Sequence, residues 1–364
     1  MRIGVDGNEA NVENKVGSSI YTFELLSYFK SVSSKDTSFI IYLRQLPNQH
    51  LPKEDKYFQY RVVKGPFYWS QIFLPLNLLL NRDINVFFSP AHYVPRFSPV
   101  PTVVTIHDLG YIYYPNEYLR KDLYKLNNWT QHAAASSCKV ITVSQNTADD
   151  VIKFLKIDRS KIKVVYNGFR TSLGENNSSL PKNMSKPFIL FVGTLQPRKN
   201  VARLLQAFSI FKKKNPKYHL VIAGKKGWMF EKIFEKVKEL ELEDSVIFTG
   251  FVDDNVLGTM YKNASLFVLP GLYEGFGLPV LEAMHLGCPV ATSNTGALPE
   301  IAGPAAKYFD PTNTGEMAQV MNQIVNNAKI KQDLVKKGRS QVKKFSWEKC
   351  GQNTLDIIKR CAKQ

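Results

Sequence analysis

The sequence has few of the features that mark a metal, redox or membrane-spanning protein. Cysteine is scarce: Cys138, Cys288, Cys350 and Cys361. Their spacings fit neither a zinc site nor a redox pair. They read as reduced thiols, which suits the cytosol. The most apolar run, 72–80, is interrupted by Pro75 and Asn77. It is too short to span a bilayer and reads as a buried helix segment. The opening MRIGVDG has no basic-then-apolar pattern, so no signal peptide is expected. No D-x-D occurs, Asp253 and Asp254 being adjacent, and no His/carboxylate cluster shows metal spacing. A required metal or other cofactor is therefore not expected.

Acidic residues are also too few to balance the basic ones. Lys and Arg total 48 against 31 Asp and Glu, for a formal charge of +17. Such a field attracts polyanions. The basic residues are dispersed, as in KDLYK, FKKKNPK and VKKGRSQVKK. With no arginine-rich arm, zinc finger or RNP-like pattern, specific nucleic-acid binding is not expected. Two readings remain: a solvated basic surface, or a cytoplasmic protein resting peripherally on an anionic membrane.

What is present is a long, ordinary globular composition. The 364 residues are 44% hydrophobic, more than one core usually organises. Apolar strand-like runs at 3–5, 39–43, 86–88, 103–106, 140–143 and 163–166 alternate with helical patterns such as 18–29 and 118–136. The runs are apolar on both faces, as in parallel sheets covered on both sides. A polar stretch rich in Ser, Asn, Gly and Pro, 171–187, then reads as a linker. Strand-like runs resume at 188–192, 219–223, 246–249, 266–269 and 289–291. The organisation predicted is a Rossmann-like domain over 1–170, the linker, a second over 188–344, and a closing helix over 345–364. Doubly wound sheets bind ligands at the carboxyl ends of their strands, so two facing sheets would share one cleft.

The densest chemical signal is EGFGLPVLEAM, 274–284. A strand feeds a loop containing Gly271, Gly275 and Gly277, and Pro279 suits the first turn of a helix. Glycines let a ligand approach the backbone, and the helix start, near Phe276, Gly277 and Leu278, offers N–H groups to a phosphate. Glu274 and Glu282 supply carboxylates suited to sugar or ribose hydroxyls. Arg198 and Lys199 follow the first strand of the second array and suit a diphosphate leaving group. His107 ends a strand of the first array. The competing readings are a glycine-rich turn with surface glutamates, a solvated basic turn and a histidine satisfied within its own turn.

EGFGLPVLE resembles the E-x7-E motif of the retaining family-four glycosyltransferases. VGTLQPRKN (192–200), TIHDL (105–109), VSQNT (143–147), YNG (166–168), AGKKGW (223–228), GFVDD (250–254) and TGALPEIAG (295–303) follow the same family's order. Several of them are most similar to its mannosyltransferase branch. The resemblance implies the GT-B fold: α/β, two doubly wound Rossmann-like domains facing across a cleft. It implies transfer of a hexose, with mannose from GDP-mannose the leading choice, to a glycan or lipid-linked glycan in polysaccharide or cell-envelope biosynthesis, with retention at the anomeric carbon. The donor contacts implied are Gly17, Thr194, Arg198, Lys199, Val252, Glu274, Gly275, Phe276, Gly277, Leu278 and Glu282. His107, Glu274, Arg198 and Lys199 are the implied catalytic set. Two positions depart from the family pattern: Thr194 stands where many relatives carry Arg, and Ser19 where many carry Gly. Arg198 takes over the first role in this scheme, and Gly17 the close backbone approach. Ser18 or Ser19 suits the cap of the following helix. A nucleotide-sugar epimerase, an α-glucan phosphorylase and a non-enzymatic basic binding protein are the alternatives.

Overall fold

A computed structural model describes residues 1–363 apart from 176–177, 182–183 and 185–186, so part of the linker expected at 171–187 lies outside the described residues. The chain divides into two compact units, Met1–Gly168 with Ser346–Gln364, and Phe169–Phe345.

In the first unit the strands are β1 (Arg2–Asp6), β2 (Ser38–Leu43), β3 (Phe58–Val62), β4 (Val86–Ser89), β5 (Thr102–Ile106), β6 (Lys139–Thr142) and β7 (Ile162–Val164). Among the described residues they form one parallel sheet, ordered β3-β2-β1-β4-β5-β6-β7. The order reverses between β1 and β4. The interior strands are buried along almost their whole length because helices cover both faces, which accounts for their unbroken runs of Val, Ile and Phe. Phe29, from the helix Ser18–Ser31, stacks on Phe39 of β2 with ring centroids 5.0 Å apart.

The second unit holds β8 (Phe188–Val192), β9 (His219–Ala223), β10 (Val246–Gly250), β11 (Leu266–Leu269), β12 (Val290–Ser293) and β13 (Ala306–Phe309). Its parallel order is β10-β9-β8-β11-β12-β13, with the reversal between β8 and β11. Such reversals splay the loops on either side apart, which opens a ligand crevice at the strands' carboxyl ends.

The last helix, Trp347–Cys361, belongs to the first unit. Ser346 caps it by accepting the Lys349 N–H, and Tyr28 donates to Gln352 Oε1 at 2.6 Å. Gly351 is required there, because a Cβ would stand 2.3 Å from the Tyr28 ring.

Several expectations need correcting. Cys138 is disulfide-bonded to Cys361, with Cα atoms 6.2 Å apart; Cys288 and Cys350 are free and buried. A separation of 223 residues leaves no local spacing to read, and the contact exists only because the last helix returns to the first unit. The run 72–80 forms the helix Phe73–Asn81, but only Leu74, Pro75 and Leu78 within it are buried; Leu76, Leu79 and Leu80 face solvent. One helix face touches the sheet and the other has no covering layer. Neither Ser18 nor Ser19 caps its helix. The cap position is Gly17, without a side-chain bond, while Ser18 Oγ donates to Glu9 at 2.9 Å. Strands β3 and β13 had no counterpart among the expected runs. Both lie at sheet edges and carry exposed polar residues, Gln59 and Lys307.

Candidate active site

Three loops of the second unit meet at the reversal of its sheet. The loop after β8 carries Arg198 and Lys199, and the loop after β11 carries Glu274. Asn200 ties them: its φ of 61° turns the chain, and its amide donates to the carbonyls of Pro270 (2.9 Å) and Pro311 (2.7 Å). The Leu272 N–H donates to the Arg198 carbonyl at 2.9 Å. The third loop, after β12, closes on Glu274 from outside, with the Ala297 N–H donating to the Glu274 carbonyl at 2.9 Å. Gly296 makes this approach possible. Its φ is +60°, and a Cβ there would sit 2.6 Å from the Glu274 carbonyl oxygen.

The side chains brought together form one ion cluster. Lys199 Nζ donates to both carboxylate oxygens of Glu274, at 2.8 and 2.9 Å. Arg198 Nη1 lies 3.5 Å from Glu274 Oε2 and also donates to the Tyr273 carbonyl. Arg198 and Glu274 are buried. Two cations around one carboxylate leave one net positive charge. The helix Leu278–His285 starts just beyond, at Gly277 with φ +100° and Pro279 in its first turn. A residual cation beside a helix N-terminus is an environment suited to phosphate.

Glu282 is elsewhere on that helix and is almost fully buried, at 1% exposure. It is not an open carboxylate. Arg170 Nε donates to its Oε1 at 2.8 Å, and the Tyr261 hydroxyl lies 3.3 Å from its Oε2. Arg170 also donates to Asp254 Oδ1 at 2.6 Å. Burial works against the Arg170 charge, but Glu282 and Asp254 outweigh it and the net shift is upward. Burial and the charge of Glu282 together raise the Tyr261 hydroxyl, which stays protonated. Arg170 lies at the edge of a polar stretch and carries no motif; only the structure assigns it a partner.

The remaining candidate positions line the same strand edge. Thr194 packs against the 224–227 loop, where a Cβ on Gly227 would come within 2.9 Å of its methyl. Val252 follows β10, in a loop that Asp253 ends by accepting the Asn255 and Val256 N–H groups, both at 3.0 Å. Gly275 is buried, and the Phe276 ring is buried against Phe345, centroids 5.8 Å apart. Phe276 therefore has backbone rather than ring to offer a ligand. Leu278 is buried at the helix start.

His107 and Gly17 lie in the first unit. His107 follows β5, and its Nε2 donates to the Pro90 carbonyl beyond β4 at 2.8 Å, which fixes the tautomer. The Tyr21 ring meets it edge-on at 4.8 Å. Burial, with His92 alongside, pushes the His107 pKa down to about 4, so the ring is neutral near pH 7. His92, which no motif marked, lies in the loop after β4 at a φ of +43°, its ring 5.8 Å from that of His107. Gly17 sits at φ +52° with nothing within 4 Å of where a Cβ would be. Among the described residues no three His, Cys, Asp or Glu side chains group as metal ligands.

The two doubly wound sheets, each with its loops gathered at a reversal of strand order, define the GT-B class of glycosyltransferase folds. The known proteins agree. A model described as "Glycosyl transferases group 1" matches residues 174–341, and one described as "Glycosyltransferase Family 4" matches 44–173. The O-antigen chain mannosyltransferase B of Escherichia coli is 29% identical over 289 residues, covering 75% of this chain and 74% of that protein. Sucrose-phosphate synthase from Thermosynechococcus elongatus superposes with a TM-score of 0.77 at 19% identity, over 99% of this chain and 98% of the other. Anabaena HepE in complex with UDP-glucose superposes at 0.76 with 16% identity, over 99% and 100%. This chain belongs to the glycosyl transferases group 1 family and is a glycosyltransferase.

Proposed function

We propose that the chain transfers a mannosyl residue from GDP-mannose to a glycan or lipid-linked glycan during assembly of a cell-envelope polysaccharide, with retention at the anomeric carbon. The choice of sugar rests on the likeness to an O-antigen mannosyltransferase. The reading of the donor side rests on one observation: Arg198, Lys199 and Glu274 gathered at the strand reversal beside a helix N-terminus.

In this scheme Lys199 and Arg198 neutralise the diphosphate as the glycosidic bond breaks, so no metal is required. Glu274 and the backbone of 275–278 hold the sugar. Glu282 accepts from the ribose hydroxyls. Thr194 and the loop at Val252 frame the nucleotide, and Gly17 leaves room for it. At the first unit's strand edge, neutral His107 bonds the acceptor hydroxyl. Retention proceeds by departure and attack on the same face, the leaving phosphate taking the acceptor's proton, because no carboxylate stands out as a nucleophile.

The reaction is placed at an anionic membrane surface, the chain acting as a peripheral protein. No helix among the described residues is long and apolar enough to cross a membrane. The first unit nevertheless exposes Phe67 (76%), Leu76 (52%) and Leu80 (83%); the ring of exposed Tyr68 lies 5.9 Å from that of Trp129, which Lys125 overlies. Apolar side chains edged by a cation fit an anionic bilayer. Co-sedimentation with phosphatidylglycerol vesicles is expected, and its persistence in Leu76→Ser/Leu80→Ser would refute this face.

The donor test is release of nucleoside diphosphate from GDP-mannose, UDP-glucose, UDP-N-acetylglucosamine or dTDP-rhamnose, with a candidate glycan acceptor supplied. GDP-mannose should be consumed, and consumption should be lost in Glu282→Ala. Turnover of another donor alone would overturn the choice of mannose and base.

A further inference from the structure

The segment that enters the second unit is laid along the helix Leu278–His285. The Phe169 ring lies 5.2 Å from that of His285, and the His285 Nε2 donates to the Thr171 carbonyl at 3.2 Å. Between them Arg170 reaches Glu282. Its side chain is 18% exposed and that of Glu282 2%. The guanidinium is held at a second point by Asp254, at the start of the helix Asp254–Asn263. Tyr261, on that same helix, approaches the other oxygen of Glu282.

A carboxylate this deep needs a paired cation to offset the cost of its burial. It also needs its plane fixed if two adjacent hydroxyls are to find both oxygens. Arg170 meets both needs. It donates one bond through Nε, in the guanidinium plane, to Oε1, and Asp254 holds the same planar group from the far side. A carboxylate accepts about four hydrogen bonds. Arg170 and Tyr261 use two, one on each oxygen, and leave one lone pair on each. Two acceptors on adjacent oxygens of one plane match a vicinal diol.

We propose that Arg170 is a positioning residue for donor binding: it pairs with Glu282 and holds it aligned so that both of its oxygens take the ribose 2′- and 3′-hydroxyls. This rests on the reading that Glu282 binds ribose. Arg170 itself touches neither the donor nor the reacting atoms, and its pair with Glu282 persists in the bound state. Lys cannot reproduce the role fully, since a point charge lacks the planar guanidinium that holds Glu282 and Asp254 at fixed angles.

The test compares affinity for GDP and 2′-deoxy-GDP by calorimetry, with GDP-mannose turnover alongside, in the wild type, Glu282→Gln, Arg170→Lys and Arg170→Gln. The wild type should prefer GDP by tenfold or more, because a site built for a hydroxyl rejects a ligand lacking it. Arg170→Gln should weaken GDP about tenfold, leave 2′-deoxy-GDP within about twofold and so erase most of the preference. Its KM for GDP-mannose should rise while kcat stays within about twofold. Arg170→Lys should recover part of the preference, and it carries the test if the Gln variant does not fold. Wild-type preference in both Arg170 variants overturns the proposal, as does equal weakening of both nucleotides, which marks a purely structural role. If the wild type shows no preference, or Glu282→Gln keeps it, the ribose role of Glu282 fails first and takes this proposal with it. A preference lost in Glu282→Gln but kept in the Arg170 variants sinks the proposal alone.

Discussion

The two units share a fold plan and differ in what they place at the strand reversal. In the second, the loops carry full charges: Arg198 and Lys199 around Glu274, and Arg170 against Glu282. In the first, the corresponding edge holds a neutral imidazole, an aromatic ring and a second histidine whose pKa burial also lowers. A parallel sheet with helices on both faces supplies the same crevice in each case, so the scaffold does not dictate the chemistry. A leaving diphosphate needs cations, while an uncharged acceptor hydroxyl needs hydrogen-bonding groups that do not compete for that charge.

The sharpest way to break this contrast is Lys199→Ala. It removes the closer cation and leaves Glu274 buried with Arg198 alone. Turnover of the donor should fall about 10²–10³-fold, the usual cost of losing one preorganised electrostatic contact. His107→Ala, measured in the same assay, should cost about tenfold, the worth of one hydrogen bond, and act mainly on acceptor KM. Equal losses from the two substitutions would mean that charge is not what distinguishes the units.

A smaller effect compares two glycines. Both have φ near +50 to +60°, but Gly296 is pressed on the Glu274 backbone, whereas Gly17 has open space around it. Gly17→Ala should cost only the backbone strain of its φ of 52° and ψ of −115°, about 2 kcal/mol. Gly296→Ala adds a clash with backbone that cannot move aside, so about 3 kcal/mol and a raised donor KM are expected. Thermal unfolding of the full chain checks the order. Equal destabilisation would show that the β12 loop yields and does not clamp Glu274.

These contrasts also explain what the sequence made legible. Interior strands such as β5 and β11 must be apolar on both faces, so they stand out as runs. The glycine-rich loop at 271–277 stands out because close backbone approach and positive φ restrict residue type. The grouping of Lys199 with Glu274, 75 residues apart, follows once both loops are assigned to neighbouring strands. Other features have no local signature. Edge strand β3 is part-exposed along most of its length, because it has a neighbouring strand on one side only. The Cys138–Cys361 bond depends on where a distant helix docks. Arg170 reads as one more cation in a chain with 48, because its importance lies wholly in the carboxylate it meets. His92 is an ordinary loop residue until its φ of +43° is known.

The smallest expected effect lies within the first unit, where two half-buried groups have pKa values shifted in opposite directions. Burial raises the Asp6 carboxyl from its ordinary 3.8 to about 6, against the hydrogen bonds it accepts from Asn8. His107 is lowered from 6.5 to about 4. Between pH 6 and 4 the folded state holds a proton on Asp6 that the unfolded chain lacks, so Asp6 favours folding more as pH falls. In the same window the unfolded chain protonates His107 and the folded state does not, so His107 favours folding less. Each offset is worth about 3 kcal/mol at its limit, and the two nearly cancel. His92, also lowered by burial, acts in the same sense as His107. The summed contribution of Asp6 and His107 in the wild type should therefore change little between pH 6 and 4. Asp6→Asn keeps an acceptor for Asn8 but removes the titration, and should expose a loss of about 2–3 kcal/mol over that range. His107→Gln retains a donor for Pro90 and should become more stable on acidification instead. Denaturant titration followed by tryptophan fluorescence suits the purpose, since Trp69, Trp129 and Trp347 lie in the first unit and only Trp228 in the second. Identical pH slopes in the wild type and Asp6→Asn would mean that Asp6 is hydrated in the folded state. The neutral character of the first unit's edge would then rest on its histidines alone.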